Sequence, residues 1–183
     1  MPIEGSFAWI LLLVVGPAVL LYLRLARRLP TGRLLAVALF MGYLAGVAAF
    51  TLFPLRLDAE YGSRAPFEPA IVIQLFFLGG PEAMSPAQYV GNVLLGVPFG
   101  FLVPLVWRWS LPAVLVAGLG FSLLIEASQW VLTKLMVAYP SRAVDINDVL
   151  LNTFGVLIGV VGYALIRATY RALLAPAATT PPG

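Results

Sequence analysis

Leu34-Leu-Ala-Val-Ala-Leu-Phe40-Met-Gly42-Tyr-Leu-Ala-Gly46-Val-Ala-Ala-Phe50-Thr-Leu-Phe53 runs for twenty residues without a charge, opened by Arg33 and closed by Pro54. At a rise of about 1.5 Å per residue a helix of that length reaches about 30 Å, the thickness of a bilayer's hydrocarbon core. Gly42 and Gly46 offer this helix one small-xxx-small pair for packing against a neighbour.

Working outward, apolar blocks of similar length recur at residues 7–23, 89–107, 111–133 and 148–166. The pattern predicts an all-α polytopic membrane helix bundle of about five transmembrane helices, forming one domain over residues 1–174. Composition agrees, with 61% hydrophobic and 10% charged residues and a mean hydropathy of +0.98. A soluble domain carries about 25% charged residues. Glu4 precedes the first block and Arg24, Arg27 and Arg28 follow it. A cleavable signal has its positive charge on the other side, so this block reads as a retained helix. The connection 108–110 is short, which makes the third and fourth helices antiparallel neighbours. Pro98 and Pro104 each remove a backbone donor from the third helix and predict a kink. Residues 54–88 form the long loop. Its apolar piece, 71–78, is too short to span and is expected to lie in the interface or dip in and return. Residues 175–183 carry no pattern and are expected to be disordered.

The net charge of +3 is small, and the basic residues punctuate apolar blocks without forming a stripe, which argues against nucleic acid as a partner. With five spans, Arg24, Arg27, Arg28, Arg33, Arg108, Arg167 and Arg171 share one side. Arg56, Arg64, Lys134 and Arg142 share the other. Seven against four puts the first group in the cytoplasm, the amino terminus outside and the carboxyl terminus inside. Trp9, Tyr89 and Trp107, near helix ends, are expected to anchor the interface.

Cysteine and histidine are absent. Thiolate metal sites, haem ligation, thiol nucleophiles and imidazole bases are excluded with them. No cofactor or metal is expected, and any catalysis would use carboxylates, hydroxyls, Arg, Lys134 or an oxygen-held cation.

The informative residues are polar ones inside apolar blocks. Glu126 lies about two turns short of its helix end, where an unpaired acid costs up to about 3 kcal/mol. Ser122 and Gln129 share its face. Either Glu126 clamps two helices through an Arg, or it belongs to a functional site. Asp145, Asp148, Asn152, Gly155 and Gly159 follow one another at three- and four-residue steps. Asp145 and Asp148 also resemble a capping box. Asn152, a turn deeper, would be satisfied by facing Glu126 or Asn92. Asn92 opens the third helix, where Gly96 and Gly100 flank Pro98 and let another backbone approach. Arg142 is the counter-ion for this carboxylate cluster, or a bidentate donor to a ligand's phosphate or carboxylate.

Residues 92–104 (NVLLGVPFGFLVP), 126–129 (EASQ) and 142–155 (RAVDINDVLLNTFG) resemble the VanZ-like family in order and spacing. Ala65-Pro66-Phe67 is similar to part of a short family loop element. The resemblance implies a bacterial plasma-membrane protein whose namesake is associated with low-level resistance to the glycopeptide teicoplanin, and it implies no settled reaction. The function expected is binding of a membrane lipid or lipid-linked cell-wall precursor by Asn92, Glu126, Gln129, Arg142, Asp145, Asp148 and Asn152. Pro98, Gly100, Pro104, Gly155 and Gly159 are the expected structural residues. The rivals are an enzyme acting on a lipid head group, with Glu126 or Asp148 as acid or base, and a structural or partner-binding subunit.

Overall fold

The computed structural model describes residues 2–3, 6–52, 55–56, 71–73, 75, 85–135 and 144–175. Arg142, Ala65 to Phe67, the tail 176–183 and most of the loop 54–88 lie outside the described residues.

In chain order the elements are β1 (Pro2–Ile3), α1 (Ser6–Leu25), α2 (Thr31–Thr51), β2 (Leu55–Arg56), β3 (Ile71–Val72), α3 (Pro86–Trp107), α4 (Leu111–Leu135), β4 (Val144–Asp145) and α5 (Ile146–Leu174). The fold is an all-α bundle of five helices. Four of them, α2 to α5, are long and apolar enough to cross a membrane, and the apolar part of α1 is Trp9–Leu25. The bundle's outer face is itself apolar, with Leu13 at 74%, Phe50 at 80% and Val116 at 73% exposure. Such a surface is stable against lipid and not against water.

Helix ends follow local chemistry. Ser85 and Gln88 form a capping box in which the Gln88 N–H donates to Ser85 Oγ at 3.3 Å and the Ser85 N–H donates to Gln88 Oε1 at 3.0 Å. α3 therefore starts three residues before the expected 89, and Asn92 falls in its second turn, not at its opening. α5 runs eight residues past the expected 166. Arg167 and Arg171 are good helix formers, and a charge that leaves the hydrocarbon does not end a helix. α3 continues as helix through Pro98 and Pro104. The Tyr43 hydroxyl donates at 2.9 Å to the Leu95 carbonyl, three residues before Pro98, where a proline loosens the backbone ladder.

The centre of the bundle is where α3 and α5 run parallel in backbone contact. A Cβ at Gly96 would overlap the Asn152 carbonyl, and one at Gly100 the Val156 carbonyl. Gly155 and Gly159 meet the Val93 and Val97 carbonyls in the same way. Small residues at four-residue spacing on both helices permit this approach, and dispersion between closely packed backbones holds helices together in lipid. Val156, fully buried, then fills the space beside Gly118 of α4. Around this seam Phe40, Phe99, Val103, Val106, Val114 and Val160 make the core, with the Phe99 and Phe121 rings stacked at 4.8 Å. Trp107 stands edge-on to Phe40 at 5.1 Å while remaining 45% exposed.

The Gly42–Gly46 pair does not pack a neighbouring backbone. A Cβ at Gly42 would meet nothing within 4 Å, and one at Gly46 would meet only the Trp9 ring at 3.6 Å. The spacing matches a packing motif, but α2 turns these glycines toward open space between helices.

Candidate functional site

The carboxyl end of α4 and the amino end of α5 run antiparallel, so residues late in one helix face residues early in the other. Glu126, 4% exposed, accepts the Asp145 N–H through Oε2 at 3.1 Å. Asp145 is the N-cap of α5, its Oδ1 accepting from the Asn147 N–H at 2.8 Å and from Asn147 Nδ2 at 2.7 Å. The expected capping box with Asp148 is thus replaced by a tertiary one. Glu126 takes the N-cap's own N–H, which Asp148 would have taken, and Asp148 is left to accept from Asn92 Nδ2. Charge-assisted bonds of this kind contribute about 1.5–3 kcal/mol each, enough to offset the cost of a carboxylate near the interface.

One turn deeper, Asn152 Nδ2 donates to Ser122 Oγ at 3.1 Å. The Ser122 hydroxyl points its own proton toward the Val149 carbonyl at 3.5 Å. Asn152 Oδ1 is left buried without a hydrogen-bond partner among the described residues. Asn152 thus faces Ser122, not Glu126 or Asn92 as expected. Gln129, 6% exposed, donates from Nε2 to the Thr51 carbonyl at 3.0 Å and so ties the end of α2 to α4.

These polar residues share one cavity of about 1180 Å³. Asn92, Glu126, Gln129, Asp145, Asp148 and Asn152 line one end of it. The rest is an apolar groove between α2 and α3, walled by Leu39, Val47, Phe50, Leu94, Leu95 and Pro98, and roofed near Gly46 by Trp9. Gly42, Gly46 and Gly91 form its open stretches, because a Cβ at Gly42 or Gly91 would touch nothing. β3 pairs in parallel with β4, Val72 opposite Asp145, and thereby ties the start of the 71–78 segment to the polar end.

Six of the seven expected ligand-binding residues thus line one cavity, and the seventh, Arg142, lies outside the described residues. Pro98 lines the groove, while Gly100, Gly155 and Gly159 belong to the helix seam and Pro104 is buried within α3. Sequence reasoning missed Thr51, Tyr43 and Asn147. Asn147 had a visible signal, an amide two residues after an acidic cap. Thr51 contributes only a backbone carbonyl to Gln129, which no side-chain pattern reports.

No curated protein and no solved structure shows a match to the chain. The sequence model of the VanZ/LLP1 family matches residues 40–167, a stretch that contains α3, α4 and the full set of cavity-lining polar residues. The chain, a membrane protein by its apolar helices, belongs to the VanZ/LLP1 family.

Proposed function

We propose that this chain is an envelope protein of the bacterial plasma membrane that binds an amphipathic, lipid-linked molecule. The polar part of the ligand lies against Asn92, Glu126, Asp145, Asp148 and Asn152, and its chain lies along the α2–α3 groove. The observation that carries this reading is the shape of the cavity, polar at one end and apolar along its length. Ligand sites of about 300–1,000 Å³ accommodate drug-sized molecules, so a groove of about 1180 Å³ has room for a head group and part of a chain.

Asn152 borders the polar end of the cavity, and a ligand hydroxyl or carbonyl meeting its amide adds a hydrogen bond of about 1 kcal/mol. The carboxylates support binding over acid–base work, since Glu126, Asp145 and Asp148 each accept a hydrogen bond that shapes the site. The sequence count of seven arginines on one side against four basic residues on the other supports an outward polar end. That is the side on which a glycopeptide meets lipid-linked wall precursors, which fits the association of the family's namesake with teicoplanin.

The test uses the full chain in nanodiscs with a lipid-linked wall precursor. A Cβ at Gly42 meets nothing within 4 Å, so Gly42→Leu extends its side chain into the groove and improves helix propensity. The expected result is binding by the wild type, loss in Gly42→Leu, and undiminished thermal stability. Equal binding by both proteins, or none by either, would overturn the reading.

A further inference from the structure

A second cavity, of about 340 Å³, lies at the other end of the bundle and is lined by Arg108, Trp109, Tyr163 and Arg167. Arg108 caps α3 from a left-handed backbone, φ 58° and ψ 31°, and its N–H closes the helix on the Pro104 carbonyl. Tyr163 and Arg167 are four residues apart on α5 and so share a face. The Tyr163 ring is held edge-on to Phe101 at 6.3 Å, and Trp109 packs beside Trp107 at 5.8 Å. Two guanidinium groups and two aromatic rings thus converge on one space from the α3–α4 turn and from α5.

Neither the Arg108 nor the Arg167 side chain has a hydrogen bond or ion pair among the described residues, whereas the Arg24 side chain donates to the Leu29 carbonyl at 2.9 Å and that of Arg33 to the Val106 carbonyl at 2.7 Å. No acid occurs in residues 83–125 or 149–183. Along the helices, Glu126 is about 20 Å from the start of α4 and Asp148 about 28 Å from Arg167, at about 1.5 Å per residue. Both distances are far beyond the reach of an ion pair, about 4 Å. Among the described residues, no acid lies within reach of this pair. Tryptophan and tyrosine at the edge of an apolar span mark the level of lipid head groups, as Trp109 does in the α3–α4 turn and Tyr163 one turn before Arg167, and arginine matches phosphate oxygens bidentately.

We propose that this cavity binds the phosphate of an anionic phospholipid, with Arg108 and Arg167 donating to its oxygens and Trp109 and Tyr163 flanking the glycerol. The site is separate from the α2–α3 groove and independent of what that groove holds.

Lipid retention by the full chain in nanodiscs tests it, with phosphatidylcholine alone or with phosphatidylglycerol added, read by native mass spectrometry and by thermal unfolding. Phosphatidylglycerol is expected to remain bound to the wild type and to raise its unfolding temperature. Retention falls about fivefold for each guanidinium removed in Arg108→Gly and Arg167→Gln. Glycine takes the left-handed turn without strain, so Arg108→Gly keeps the fold while removing the charge. Arg27→Gln and Arg171→Gln, outside the cavity, are expected to retain the lipid. Equal loss in these two would mean diffuse attraction to a basic surface and would overturn the site, as would unchanged retention in Arg108→Gly with Arg167→Gln. Soluble glycerol 3-phosphate in phosphatidylcholine discs is expected to give no shift. A shift of the wild type by that probe, absent in the double variant, would assign the cavity to a free phosphate and overturn the lipid.

Discussion

The Glu126 carboxylate and the Asp145 N–H meet at 3.1 Å, so an acid buried on α4 closes the first turn of α5. A carboxylate that would be costly alone in the membrane becomes part of a helix cap. The same bond holds Asp145 at the edge of the cavity, next to the pairing of Val72 with Asp145.

Glu126→Gln keeps an acceptor for that N–H and is expected to change stability by less than about 1 kcal/mol. Glu126→Ala leaves the N–H unanswered and is expected to cost about 1.5–3 kcal/mol, the range for a bond to a charged group. Thermal unfolding of the two variants side by side in detergent checks the difference.

Gly96→Ala and Gly155→Ala are expected to be severe, since a methyl group at either position overlaps a backbone carbonyl on the facing helix. Overpacking costs about 1–3 kcal/mol where side chains can move, and here backbone must move instead. Gly91→Ala meets nothing and is expected to be neutral or mildly stabilising, which makes it the control in the same unfolding series.

Asn152→Leu removes both the unpartnered Oδ1 and the donor to Ser122. The lost bond and the removed penalty are each about 1 kcal/mol, so stability is expected to stay within about 1 kcal/mol of wild type. Affinity for a lipid-linked ligand is expected to fall about tenfold, the equivalent of about one hydrogen bond. Titration in nanodiscs beside an unfolding curve separates the two effects.

Arg108→Gly is expected to raise stability by about 1 kcal/mol in phosphatidylcholine discs, because a non-glycine residue pays that much for a left-handed conformation. Arg28, at φ 52°, gives a second position for the same measurement.

Blocks of twenty apolar residues make the helices legible, because the length of a span is fixed by the lipid and not by the rest of the chain. Gly96, Gly100, Gly155 and Gly159 were legible as close-approach positions, although their sequence did not say which helix each would meet. Gly42 and Gly46 carry the same spacing with the opposite outcome. A motif defined by missing side chains describes equally well a contact and a gap, and only the rotation of α2 decides. The polar cluster was legible because Glu126, Asn92 and Asn152 violate the apolar pattern around them. Its pairings were not, because Asp148 and Glu126 compete for one N–H and tertiary placement chooses the winner.

The glycine seam between α3 and α5 has no slack, and Asn92, Asp148 and Asn152 ride on the two helices that it welds together. The polar end is therefore a stiff rail of fixed dimensions. On the proposed function, guests of different girth are accommodated by the opposite wall, the α1–α2 hairpin, where a Cβ at Gly42 meets nothing and one at Gly46 meets only the Trp9 ring. Selectivity by shape would then belong to the first wall, and tolerance to the second.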